Sequence, residues 1–153
     1  MTSKLLAKKI ADAALSKKAN DITLMDLRKL TTMTDCFVVC SVDSDTQCRA
    51  VADEIKHQLM EKGEVPVHRE GYSEGRWILL DYVDVVVHIF HKDVRAFFNL
   101  EKLWGDAKFE YVSDDKEMVK EKLPVKTKKV GAKSKRKIIR KKAPVKAKVT
   151  RKK

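Results

Sequence analysis

The chain has 153 residues, 43% of them hydrophobic and 37% charged, with a net charge of +12. That is room for one modest domain with a single core, and no apolar run reaches the roughly 18 residues that a membrane span needs. The charge is uneven: residues 116–153 hold 18 Lys or Arg against Glu117 and Glu121, a balance of +16, while residues 1–115 stand at −4.

The opening stretch, MTSKLLAKKIADAALSKK, is amphipathic. It has neither the apolar centre and cleavage site of a signal peptide nor any arginine of a transit peptide, so a cytoplasmic location is expected. Ser3 can cap a first helix running to about Ala19, with Leu6, Ile10, Ala13 and Ala14 on one stripe. Asn20 and Asp21 break it, and Ile22 to Leu30 reads as a strand. Cys36 to Ser41 is a short, nearly continuous apolar run, the pattern of a strand covered on both faces. Asp43, Ser44 and Asp45 offer cap oxygens for a second helix to about Lys62, with Val51, Ile55 and Leu59 inward and Gly63 closing it.

Val65 to Glu70 is the next strand. After a loop from Gly71 to Gly75, Arg76 to Asp81 and Asp84 to Phe90 form a hairpin. Two short helical pieces, Asp93 to Phe98 and Leu100 to Trp104, flank Asn99. The order α-β-β-α-β-β-β-α predicts an α/β (α+β) fold, a mixed sheet of about five strands flanked by helices. No aromatic residue follows Tyr111, and Lys, Val and Ala take over. Residues 1–112 therefore read as the folded domain. Residues 113–153 read as a Lys-rich tail that cannot bury enough apolar surface to order itself.

The three cysteines, Cys36, Cys40 and Cys48, exclude a complete disulfide framework. Their C-x3-C-x7-C spacing, with no histidine at finger distance, is not a zinc pattern. They read as buried, reduced thiols.

The hairpin is the densest stretch. With Tyr82 and Val83 as the loop, Asp81 opposes Asp84, Leu79 opposes Val86 and Trp77 opposes His88. One face is aliphatic (Ile78, Leu80, Val85, Val87, Ile89) and must be core. The other is mixed, with Trp77, Leu79, Val86, His88 and Phe90, and both aspartates at its edge. Two readings stand for the mixed face. Either the closing helices cover it, making Trp77 and His88 ordinary core, or part of it is an exposed apolar patch suited to a protein partner. Facing carboxylates cost stability, so they are either solvated at the turn or separated by a cation or a basic partner.

An ordered series of motifs accompanies this hairpin: Glu70-Gly71-Tyr72, Gly75-x-Trp77, Leu80-Asp81-Tyr82-x-Asp84, Val85-Val-Val-His88, Phe90-His91, Arg95 and Asn99-Leu-Glu-x-Leu-Trp104-Gly-Asp106. Upstream stand Asp21-Ile22, Thr34-Asp35-Cys-Phe37-Val-Val and Ala52-Asp53-Glu54-Ile55. Over residues 4–112 the chain resembles the ribosomal silencing factor (Iojap-like) family. The resemblance implies a homodimeric, nucleotidyltransferase-like domain. It implies binding to ribosomal protein fourteen of the large ribosomal subunit, which blocks joining of the small subunit and represses translation. Carried over by position, Glu70, Tyr72, Trp77, Asp81, His88, Phe90 and Arg95 are the candidates for the ribosome-facing surface. The chain departs from the family in having Val42-Asp43-Ser44 where a Gly-Thr-Ser turn is usual, and Val83 where the hairpin usually has glycine. The β-branched Val83 resists a positive φ, and the basic tail lies outside the resemblance.

Catalysis is not expected. A nucleotidyltransferase needs a glycine turn for phosphate and two or three carboxylates for metals, whereas Asp43 would repel phosphate and a third acid at strand spacing is missing. No metal or cofactor is expected. The tail residues Lys135, Arg136, Lys137, Arg140, Lys141 and Lys142 form a dense basic block without aromatic partners for bases. It suits salt-sensitive, sequence-tolerant contact with ribosomal RNA; a tether to other nucleic acid and a purely solubilising tail are the alternatives.

Overall fold

The computed structural model describes residues 1–113. The expected basic tail, with Lys135, Arg136, Lys137, Arg140, Lys141 and Lys142, lies outside the described residues. The first helix, α1 (Ser3–Ser16), starts one residue earlier than the Ser3 cap implies. Thr2 is the capping residue, and its hydroxyl accepts the Leu5 amide at 3.3 Å. Its buried stripe contains Leu6, Ile10, Ala13 and Ala14, as the spacing predicts. Next come β1 (Asn20–Asp26), β2 (Cys36–Val42) and α2 (Asp45–Met60), whose N-cap is Ser44. β1 stops at Asp26, short of the expected Leu30, because the Asp26 carboxylate turns back to accept from the Arg28 amide and guanidinium.

The hairpin strands are β4 (Trp77–Asp81) and β5 (Val85–His91), preceded by a three-residue edge strand, β3 (His68–Glu70). The short helices α3 (Lys92–Phe98) and α4 (Leu100–Leu103) follow, and then β6 (Lys108–Val112), a sixth strand beyond the roughly five expected. β6 pairs antiparallel with β1 and carries Phe109 into the core. The sheet order is β3-β4-β5-β2-β1-β6, with β2 and β5 parallel and every other pair antiparallel.

α1 and α2 seal one face of the sheet over Ile78, Leu80, Val85, Val87 and Ile89, all fully buried. All three cysteines are buried and free. Burial pushes the thiols of Cys36 and Cys40 up to about 12, and that of Cys48 to about 11, so they stay protonated and inert. On the other face, Met25, Leu27, Val39, Phe90, Ala107 and Phe109 form a smaller core. Val94, Leu100 and Trp104 lie over it.

The hairpin pairs differently from the expected register. Trp77 lies opposite Phe90, Leu79 opposite His88 and Asp81 opposite Val86. The turn sits one residue later, around Val83, with Tyr82 paired to Val85 and buried. Val83 adopts φ +71°, and the Asp84 amide donates to the Tyr82 carbonyl at 2.9 Å. This is a tight three-residue turn, a rare and strained form for a β-branched residue. The Asp81 carboxylate steadies it by accepting the Val83 amide at 2.8 Å. The facing pair of carboxylates therefore does not exist: Asp81 faces Val86, and Asp84 is at the exposed turn.

Candidate docking face

Pairing places His68 and Glu70 of β3, Trp77, Leu79 and Asp81 of β4, and Val86, His88 and Phe90 of β5 on the same side of the sheet. Phe37 and Val39 of β2 continue it. The α3–α4 segment packs over part of it, with Val94, Leu100 and Trp104 against the cluster that holds Val39 and Phe90. Glu70 is exposed, while Phe37, Trp77, Leu79, Asp81 and Val86 are half-buried. The Asp81 carboxylate lies 3.7 Å from the His68 imidazole across the β3–β4 pair.

Rings run along this face in contact. Phe97 packs edge-on against Phe98 at 5.1 Å, and Phe98 lies 4.7 Å from Trp77. Trp77 stacks on Phe90 at 4.9 Å, while His88 meets Phe37 edge-on at 4.7 Å and Phe37 meets Trp104 at 5.9 Å. Phe97 is 82% exposed, Leu103 72% and Phe98 45%. These three apolar residues of α3 and α4 belong to the open surface, although the sequence reading did not single them out. The local signal is weak: adjacent phenylalanines on a helix lie roughly 100° apart, so a short helix need not turn both toward the sheet.

The candidate residues thus separate. Trp77, Asp81 and Glu70 reach the surface of the mixed face. Phe90 is fully buried and His88 is 5% exposed, so both support that face from beneath. The Trp77 indole N–H donates to His88 Nδ1 at 3.2 Å, and burial pushes the imidazole down to about 4, so it is neutral. Tyr72 is on the helical side, where its hydroxyl donates to the Asp53 carboxylate at 2.7 Å. Its loop is tied down by Arg49, which donates to the carbonyls of Tyr72 and Ser73. Gly71 is indispensable there, since at φ +78° an added Cβ would sit 1.9 Å from the Trp77 carbonyl oxygen.

Arg95 is a clamp. Its guanidinium donates to Glu101 of α4, to the Asp21 carbonyl, and to the hydroxyls of Ser41 and Thr23. Every guanidinium nitrogen is engaged, and the side chain is 13% exposed. The fork geometry of arginine ties the α3–α4 segment to β1 and β2 at once. Asn99, at φ +44°, ends α3 and caps α4, letting the chain bend between them.

At the Val42-Asp43-Ser44 turn, Ser44 is spent on capping α2 and Asp43 lies 3.8 Å from Lys92. Among the described residues no group of three or more His, Cys, Asp or Glu is placed to hold a metal ion, and no helix is long and apolar enough to cross a membrane.

Fold and site together define a small α+β domain built on a six-stranded mixed sheet, with one face sealed by helices and the other carrying an aromatic, partly open surface. The chain belongs to the ribosomal silencing factor family: the family profile described as "Ribosomal silencing factor during starvation" matches residues 1–145. That match runs past β6 into the basic segment, farther than the motifs read from the sequence. The Bacillus subtilis ribosomal silencing factor RsfS is 47% identical over 107 residues, covering 70% of this chain and 91% of that protein. The chloroplastic protein Iojap of Zea mays is 37% identical over 98 residues, 64% of this chain and 42% of that one. A crystal structure of a Chromobacterium violaceum protein superposes with a TM-score of 0.67 at 35% identity, covering 69% of this chain and 88% of that one. One from Bacillus halodurans gives 0.61 at 40% identity, covering 67% and 95%.

Proposed function

We propose that this protein silences ribosomes by occupying the large subunit. It binds ribosomal protein fourteen through the open half of its mixed sheet face, blocks joining of the small subunit and so represses translation in the cytoplasm as a homodimer. The observation that carries the reading is the aromatic surface around Trp77 in a chain of this family. Half-buried Trp77, Leu79 and Val86 share this face, exposed Phe98 packs on Trp77 and exposed Phe97 on Phe98, with Glu70 and Asp81 at the rim. Aromatic anchors inside a polar rim are the usual make-up of a protein-binding hot spot, and acidic side chains suit a partner drawn from a basic ribosomal surface. Glu70, Trp77 and Asp81 are direct contacts on this reading. His88, Phe90 and Arg95 hold the face in shape, and Tyr72 fixes the loop behind it.

The basic segment supports an added role. Its +16 balance over residues 116–153 suits phosphate contact with ribosomal RNA, through Lys135, Arg136, Lys137, Arg140, Lys141 and Lys142, that weakens as salt rises. Sedimentation with purified large subunits tests both parts. The full chain should co-sediment, a chain ending at Ser113 should still do so with weaker, less salt-sensitive affinity, and Trp77→Ala should reduce binding at least tenfold while staying folded. If the chain ending at Ser113 fails to co-sediment at low salt, the docking role of the sheet face is refuted and binding resides in the basic segment.

A further inference from the structure

The side chain beneath Trp77 is an odd choice for a core. His88 is 5% exposed, and its Nε2 is buried with no hydrogen-bond partner. Because Nδ1 accepts from the Trp77 indole, the proton of the neutral ring sits on Nε2, which leaves a buried donor unsatisfied. Such a donor is destabilising, and phenylalanine at this position would avoid it. What phenylalanine could not do is accept the indole N–H. Leu79 is the residue directly opposite His88, so Trp77 reaches it diagonally across the hairpin. The indole is held on three sides: by Phe90 at 4.9 Å, by Phe98 at 4.7 Å and by the hydrogen bond to His88 at 3.2 Å.

We infer that His88 is a positioning residue that turns the polar edge of Trp77 inward, so that the docking face meets its partner with a fixed indole whose one donor is already used. The partner group seated on Trp77 is then apolar or cationic, such as an aliphatic side chain or a lysine or arginine stem laid on the ring, and not a hydrogen-bond acceptor. A ring fixed before contact loses less freedom on docking, and a π face without a free N–H accepts apolar and cationic groups alike. The inference rests on the proposed docking role of Trp77 and adds the chemistry of what it touches.

A double-mutant cycle on the full chain, with purified large subunits as the ligand and the indole resonances of the free protein as a second readout, tests it. The Trp77 indole signal, assigned by its loss in Trp77→Phe, should exchange with solvent at least tenfold more slowly than an exposed indole. His88→Phe should abolish that protection and weaken subunit binding about tenfold, yet change binding less than twofold in a Trp77→Phe background. His88→Asn, which places a carbonyl oxygen near the position of Nδ1, should restore both, and it guards against misreading a folding defect in His88→Phe. The inference is overturned if the Trp77 indole is unprotected in the native protein, or if His88→Phe weakens binding equally in both backgrounds. Wild-type binding by Trp77→Ala would instead remove the docking role, and the positioning role with it. Weakened binding by Trp77→Ala beside unaffected His88→Phe would leave the docking role standing and refute the positioning role alone.

Discussion

Lowering the pH from 7 to 5 should destabilise this domain by about 2 kcal/mol through one side chain. Burial holds the His88 imidazole at about 4, against 6.5 for a free histidine. Between those two values the unfolded chain binds a proton that the folded one refuses, so acid favours unfolding. The contribution is intact near neutrality, begins to fade as pH falls through 6.5, and is gone near 4. A gap of about 2.5 units at 1.36 kcal/mol per unit limits the whole effect to about 3 kcal/mol, of which roughly two-thirds is lost by pH 5. The Asp26 carboxylate, held below its ordinary 3.8 by its hydrogen bonds to Arg28, titrates beneath this window. Urea titrations at pH 7 and pH 5 measure the loss as a drop in midpoint at constant slope. His88→Asn should flatten the pH dependence. A wild-type midpoint that does not move by pH 5, or an acid loss that survives His88→Asn, would show that His88 is not a buried neutral imidazole.

Val83→Gly should raise stability by about 1 kcal/mol, seen as a higher urea midpoint, because it relieves the positive φ of a β-branched residue and gives back only part of that gain to chain entropy. Gly71→Ala should cost about 3 kcal/mol or more, since the added methyl meets the Trp77 carbonyl at a backbone angle unsuited to L residues; thermal unfolding would show it. Arg95→Ala should cost about 3 kcal/mol by leaving Glu101 without its counter-charge and freeing α3 and α4. Arg95→Lys should recover little of that, since one ammonium cannot span Glu101, Ser41, Thr23 and the Asp21 carbonyl together. Hydrogen exchange should then rise selectively in residues 92–104.

Side-chain periodicity alone determines which residues share a face. The inward stripe of α1 and the division of the hairpin into an aliphatic and a mixed side follow from the 3.6 and 2.0 repeats of helix and strand, and both are present in the structure. The family, too, is legible in an ordered series of local motifs. β6 was equally accessible, since Lys108 to Val112 alternates like a strand, but a short segment outside the motif run gives no reason of its own to join a sheet. It pairs because β1 offers a free edge.

What alternation cannot decide is where a turn falls. Moving the turn by one residue changes every cross-strand partner by two positions and leaves the faces untouched. Trp77 therefore stays on the mixed face while its partner becomes Phe90, and the supposed carboxylate pair disappears. Nor can a local pattern say which part of a face stays open. That depends on where α3 and α4 come to rest, and they are held by Arg95 reaching Asp21, Thr23 and Ser41, residues more than fifty positions away in the chain. Trp77 and Phe90 look alike in the sequence, as aromatic residues on the same face. Only the packing of Phe98 and Trp77 over Phe90 makes one a surface and the other its floor, because burial belongs to the whole set of neighbours and not to the residue.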